Sequence, residues 1–130
     1  MRLFVLALLS LTGCPAQPPA CTTVDTTTCA ELYAPTWDNV YSMTIAVSCG
    51  SDRSACHSDV GRSGGMTFAD KDTSYTELLD GRVKPGNAAC SLMVVRIEGV
   101  GTDYQMPQGD PLVASERCSI AKWVDMGAVQ

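Results

Sequence analysis

The sequence predicts a small all-α domain with long loops. Apolar residues recur at spacings of three and four in separate stretches, and no stretch alternates with period two for long enough to build a sheet. Between those stretches the chain is punctuated by Pro and Gly, the residues that break helices and make turns. With 130 residues, 45% of them hydrophobic and few aromatic, the chain holds one modest core behind an N-terminal extension. No internal repeat is present.

The extension opens with "MRLFVLALLSLTGC": one positive charge at Arg2, an apolar run from Leu3 to Leu9, and small residues before Cys14. This is a secretion signal, too short for a membrane-spanning helix. Leu11-Thr12-Gly13-Cys14 resembles the lipobox of bacterial lipoproteins, in which the cysteine becomes the acylated N-terminus. The alternative is an ordinary secretion signal. Residues 1–13 are thus expected as a lipoprotein signal peptide, 14–34 as a Pro/Thr-rich tether ("PAQPPACTTVDTTTCAELYAP") and 35–130 as the domain.

Within the domain, Thr36 is placed to cap a helix in which Trp37, Val40, Tyr41, Thr44 and Ile45 face inward, ending near Cys49-Gly50. Residues 50–74 read as loop, with a short helix at Ser74–Leu79. Pro85-Gly86 makes a turn, and Asn87 caps a helix carrying Leu92, Val95 and Ile97, which Gly99 and Gly101 end. "YQMPQGDPL" is a loop centred on Met106. A last helix runs from about Ala114 to Met126, opened by Val113 or Ser115, with Ile120, Ala121, Trp123 and Val124 apolar. Trp37 and Trp123 read as core, and Met43, Met66, Met93 and Met126 as packing.

Fourteen acidic and nine basic side chains give a net charge of −5, which argues against a nucleic-acid partner. Removal of the signal takes Arg2 with it and leaves −6. Export to an oxidising compartment makes disulfides the expected state of the cysteines. Cys14 aside, six remain, with fifteen possible pairings. Sequence proximity favours Cys21–Cys29 and Cys49–Cys56, leaving Cys90–Cys118 to join two helices.

The single histidine, His57, directly follows Cys56 in "SACHSD". Cys-His is half of the Cys-x-x-Cys-His motif of covalent haem attachment, with Arg53 at the position of the first cysteine. The other chemistries are excluded more easily. Zinc needs more histidines or a tighter cysteine cluster, a dithiol oxidoreductase needs Cys-x-x-Cys, and no Gly-x-Ser-x-Gly, P-loop or carboxylate pair stands out.

The stretches "PTWDNVYSMTIAVSC", "ACHS", "SGGMTF", "SYTELLDGRVKPGNAACSLMVVRIEG", "YQMPQGDPL" and "IAKWVDMGA" cover roughly residues 35–128. In this order they resemble the cytochrome c-like domain of exported bacterial lipoproteins, the planctomycete-type cytochrome c. The resemblance implies a helical cytochrome c-like domain that carries haem c, is not an enzyme, and transfers electrons to a redox partner in the envelope. It gives His57 the role of proximal haem ligand, Cys56 that of the second thioether cysteine and Met106 that of the distal ligand. An imidazole and a soft thioether together suit haem iron and raise its potential.

Each of these residues also has a plainer reading: His57 as a loop histidine, Met106 as a thioether capping the core, and Arg53 as a solvated charge rather than a propionate partner. Attachment through Cys56 alone leaves five unlipidated cysteines, an odd number. The rival expectation is therefore a haem-free domain of the same fold with three disulfides, including Cys49–Cys56, serving as a binding or structural module of the cell envelope. In both readings the chain faces the periplasm or cell exterior, held to membrane lipid through Cys14.

Overall fold

The computed structural model describes residues 17–50 and 56–130. Cys14 and Arg53 lie outside the described residues. Among those described there is no strand, and the fold is all-α as expected. The first helix, α1, opens at Trp37–Asn39 and continues, wound more widely as a π-helix, over Val40–Cys49. Then come a 3-10 turn at Ser63–Gly65, α2 at Lys71–Leu79, α3 at Leu92–Glu98 and α4 at Ala114–Asp125.

Local chemistry accounts for most of these boundaries. Thr36 caps α1 by accepting from the Asn39 N–H at 3.4 Å. Toward the end of α1, the Gly50 N–H donates to Ile45 O, five residues back, which is the π spacing. The second helix begins three residues before the expected Ser74 because Asp70 caps it, its carboxylate accepting from the Thr73 N–H at 2.8 Å. Pro85-Gly86 turns the chain as expected, Gly86 taking a φ of +78° that suits only glycine comfortably. Asn87 does not cap α3. Its side chain accepts from the Cys90 N–H in a turn ahead of the helix, which starts only at Leu92. At the head of α4, the Glu116 carboxylate accepts from the Val113 N–H at 3.1 Å, one half of a capping box.

The core is organised around two tryptophans, both 1% exposed. Trp37 of α1 stacks on Trp123 of α4 with centroids 5.2 Å apart and planes at 28°. Tyr75 of α2 meets Trp37 at 5.5 Å, so three helices converge on one aromatic cluster. Val40, Ile45, Leu78, Val94, Ile97 and Ile120 continue the core from it. Of the methionines expected to pack, Met66 is buried, but Met43 and Met126 are 49% and 68% exposed.

The disulfides differ from those expected. Cys21 is bonded to Cys90 and Cys29 to Cys118; Cys21–Cys29, Cys90–Cys118 and Cys49–Cys56 are not formed. Sequence proximity misled because the stretch read as a tether lies along the helical body. The Ser119 hydroxyl in α4 accepts from the Leu32 and Tyr33 N–H groups and donates to Tyr33 O. Lys122 pairs with Glu31 at 2.9 Å, and Thr22 N–H donates to Ala89 O at 2.8 Å. Residues 17–34 have no regular secondary structure, yet they form a strap stitched to α3's approach and to α4.

Replacing Cys29 and Cys118 together by alanine should cost about 2–5 kcal/mol of stability, read from the midpoint of denaturant unfolding. Peptide mapping without reduction should recover the 21–90 and 29–118 pairs; recovery of a 21–29 pair would overturn this connectivity.

Candidate functional site

A cavity of about 570 Å³ opens between the ends of α1 and α2, the face of α3 and two loops. Cys56, His57 and Met106, singled out above by their motifs and by the resemblance, all line it, although Met106 lies 49 positions beyond His57. The apolar wall comes from Ile45, Phe68, Leu78 and Ile97, all buried side chains of the core. Leu92, expected to face the core, is half-buried and lines this wall, as does Met93.

The loop after α1 positions His57. The Phe68 N–H donates to His57 O at 2.7 Å, and the two rings meet at 5.0 Å. The Ser63 N–H donates to Cys56 O at 2.6 Å, closing the turn that follows. Phe68 in turn is held against Gly50. A Cβ there would lie 2.5 Å from Phe68 O and 2.6 Å from Phe68 Cβ, so only glycine allows the approach. The end of α1 and the His57 loop thus share Phe68 as their common support.

Burial pushes the His57 pKa below the ordinary histidine value, and the nearby guanidinium groups of Arg82 and Arg96 act in the same direction. The Ser63 backbone, second only to burial, and more weakly the Met66 backbone oppose this shift. His57 Nδ1 is buried and has no hydrogen-bond partner of good geometry among the described residues. The imidazole is therefore neutral at neutral pH, and its buried Nδ1 has no well-formed hydrogen bond among the described residues.

Met106 is set by α3 and by its own loop. Its N–H donates to Arg96 O at 3.0 Å. The neighbouring Gln105, 8% exposed, acts as a pin. Its amide nitrogen donates to Pro107 O and Gly109 O, both at 2.9 Å, and its carbonyl accepts from the Gly101 N–H at 2.7 Å.

Two cavity arginines escaped the sequence reading. Arg82 is anchored by donating to Glu77 O, Asp80 O and Gly64 O at 2.9–3.1 Å, which joins the end of α2 to the 3-10 turn. Arg96 lies on the cavity face of α3 and reaches Tyr104 O at 3.4 Å. Against these two positive charges, one carboxylate, Asp80, lines the wall among the described residues. Phe68 and Gln105 were missed as well. Phe68 falls in "SGGMTF", but neither has a spacing that marks a role.

The arrangement suits a largely apolar cofactor bearing acidic groups. The volume is within the range of about 300–1,000 Å³ typical of cofactor sites. A neutral imidazole, a thioether and a thiol make a soft donor set, and two guanidiniums match carboxylates. No group of three or more His, Cys, Asp or Glu among the described residues could hold a bare metal ion.

His57 is the only histidine, so its ring signals in a proton NMR titration are unambiguous. In the haem-free protein its pKa should fall below 6.5. The unfolded chain then takes up a proton before the folded one. The stability contributed by neutral His57 is complete above pH 6.5 and is lost as pH falls from there through the folded pKa. A pKa at or above 6.5 would mean that the ring is open to water.

Comparison of the chain with family models, with curated proteins and with solved structures finds no match to any of them. The geometry of the cavity, together with the resemblance in the quoted stretches, therefore carries the functional reading.

Proposed function

We propose that the chain is an exported electron carrier of the cytochrome c-like type, binding haem in the cavity and held to a membrane by lipid at Cys14. The observation that carries this reading is the convergence of Cys56, His57 and Met106 on one apolar cavity. The two disulfides suggest an oxidising compartment outside the cytoplasm, where haem of this type is attached. No helix among the described residues is long and apolar enough to cross a membrane; the anchor in this reading rests on the Leu11-Thr12-Gly13-Cys14 motif.

Haem, when bound, supplies an iron that gains and loses a single electron. The chain's own residues do the rest. His57 provides a ligand nitrogen without first losing a proton, because burial already keeps the ring neutral. Met106 provides the second, softer ligand, and Gln105 restricts the loop that carries it. The Cys56 sulfur would hold the porphyrin covalently. Ile45, Phe68, Leu78 and Ile97 exclude water from its faces, which with Met ligation raises the potential. Arg82 and Arg96, both on the cavity wall, would pair with the porphyrin's acidic groups. The rival, a haem-free envelope module, requires a Cys49–Cys56 disulfide, which is not among the two described.

The test is the protein made alongside a haem-attachment machinery. A Soret band that survives denaturation is expected, with one haem per chain. Met106→Ala should keep the covalent haem but lower its reduction potential and abolish the sulfur-to-iron absorption of the oxidised form. A colourless product would sink the electron-transfer reading in favour of the haem-free module.

The anchor has its own test. Cys14→Ser should move the protein from the membrane to the soluble extracytoplasmic fraction. Unchanged membrane association would refute lipidation at Cys14.

A further inference from the structure

We propose that Cys49 is a second covalent attachment point, so that Cys49, Cys56 and His57 form a stretched haem-attachment motif, Cys-x6-Cys-His; this rests on the haem-binding reading above and extends it to a residue that the family's usual spacing passes over. Read with that spacing, the first cysteine falls on Arg53 and the motif is half missing. Read from the cavity, both sulfur-bearing residues are present. Cys49 and Cys56 line the same cavity as His57. The described disulfides draw on Cys21, Cys29, Cys90 and Cys118.

The packing explains how cysteines seven positions apart can serve one ligand. Cys49 is the last residue of the π-helical part of α1, and Gly50 then seats against Phe68. The same Phe68 holds His57 through its N–H and its ring. Cys49, Cys56 and His57 line one cavity, so the two cysteines face the same ligand space despite their separation in sequence. Electrostatics agree with this placement: burial pushes the Cys49 thiol up to about 12, with Glu116 and then Cys56 among the groups that raise it. A buried thiol of this kind keeps its hydrogen at neutral pH.

That hydrogen has a use in the bond-forming step. Protohaem carries two vinyl groups. At each, the cysteine S–H adds across the C=C bond: sulfur bonds to the carbon next to the ring, and the thiol hydrogen goes to the terminal carbon. One S–H bond and one π bond are lost, and one C–S and one C–H bond are gained. No electrons leave the pair and no further reactant is consumed. Two vinyl groups and two cavity cysteines match in number.

Arg53 makes the test simple, because trypsin cuts after it, between the two cysteines. The full chain is produced with a haem-attachment machinery, reduced to open the disulfides, alkylated and digested. Thioethers survive the reduction. The expected product is one haem joined to two peptides, residues 54–62 and the segment that ends at Arg53. Haem on residues 54–62 alone, with an alkylated Cys49 in the other peptide, overturns the proposal and leaves single attachment through Cys56 standing. Haem on neither peptide overturns the haem-binding reading as well. A second readout needs only colour. In Cys49→Ser the haem should stay covalent through Cys56, but one vinyl group is retained, so the α-band of the pyridine derivative should move to longer wavelength than in the parent protein. An unmoved band counts against attachment at Cys49.

Discussion

The stack of Trp37 on Trp123 is the contact on which the rest of the architecture depends. It joins the first turn of α1 to the last turns of α4, and Tyr75 closes against it from α2. Such a pair contributes about 0.5–1.5 kcal/mol beyond the area it buries; its larger effect is on arrangement. The rings fix α1, α2 and α4 against one another. Away from them, Ile45 and Cys49 of α1, Leu78 of α2 and Ile97 of the neighbouring α3 surround space instead. The cavity is thus the counterpart of the aromatic cluster: one part of the helical body is filled by large rings, and another encloses open space.

The loops complete that open end. A chain this small cannot wall a large cavity with helices alone, and the long connections after α1 and α3 supply the missing sides. Each is tied down by a few specific contacts. Phe68 and Gly50 fix the first, and the buried Gln105 amide fixes the second by satisfying three backbone groups. This division makes the helices the frame, while the loops carry His57 and Met106 to the cavity.

What could be read in the sequence was what local chemistry decides. Helical spacing identified Trp37 and Trp123 as core, and Thr36, Pro85-Gly86 and Gly99 marked ends and turns because caps and breakers act on their immediate neighbours. Cys56, His57 and Met106 stood out by residue type and flanking motif, and the cavity brings these three together. The disulfide partners could not be read, because pairing depends on which segments meet in space; Cys21 and Cys90 are 69 positions apart and Cys29 and Cys118 are 89 apart. Arg82, Arg96 and Phe68 were invisible for a similar reason, being common residue types at unremarkable spacing. The strap of residues 17–34 was hidden by its own composition: Pro and Thr resemble a linker, while Ser119, Lys122 and two cysteines on the body decide that it is held.

The stitching of that strap changes the mechanics of any anchor ahead of it. A leash running from residue 14 to 34 could extend by about 70 Å, at roughly 3.5 Å per residue, and let the body roam through a wide volume above a membrane. With Cys21 bonded to Cys90, the slack between Cys14 and the body is cut to seven residues, about 25 Å at full stretch. An acylated Cys14 would then hold the cavity within little more than one body diameter of the lipid headgroups. Encounters would be restricted to whatever shares that thin layer, and the search for a partner would become two-dimensional.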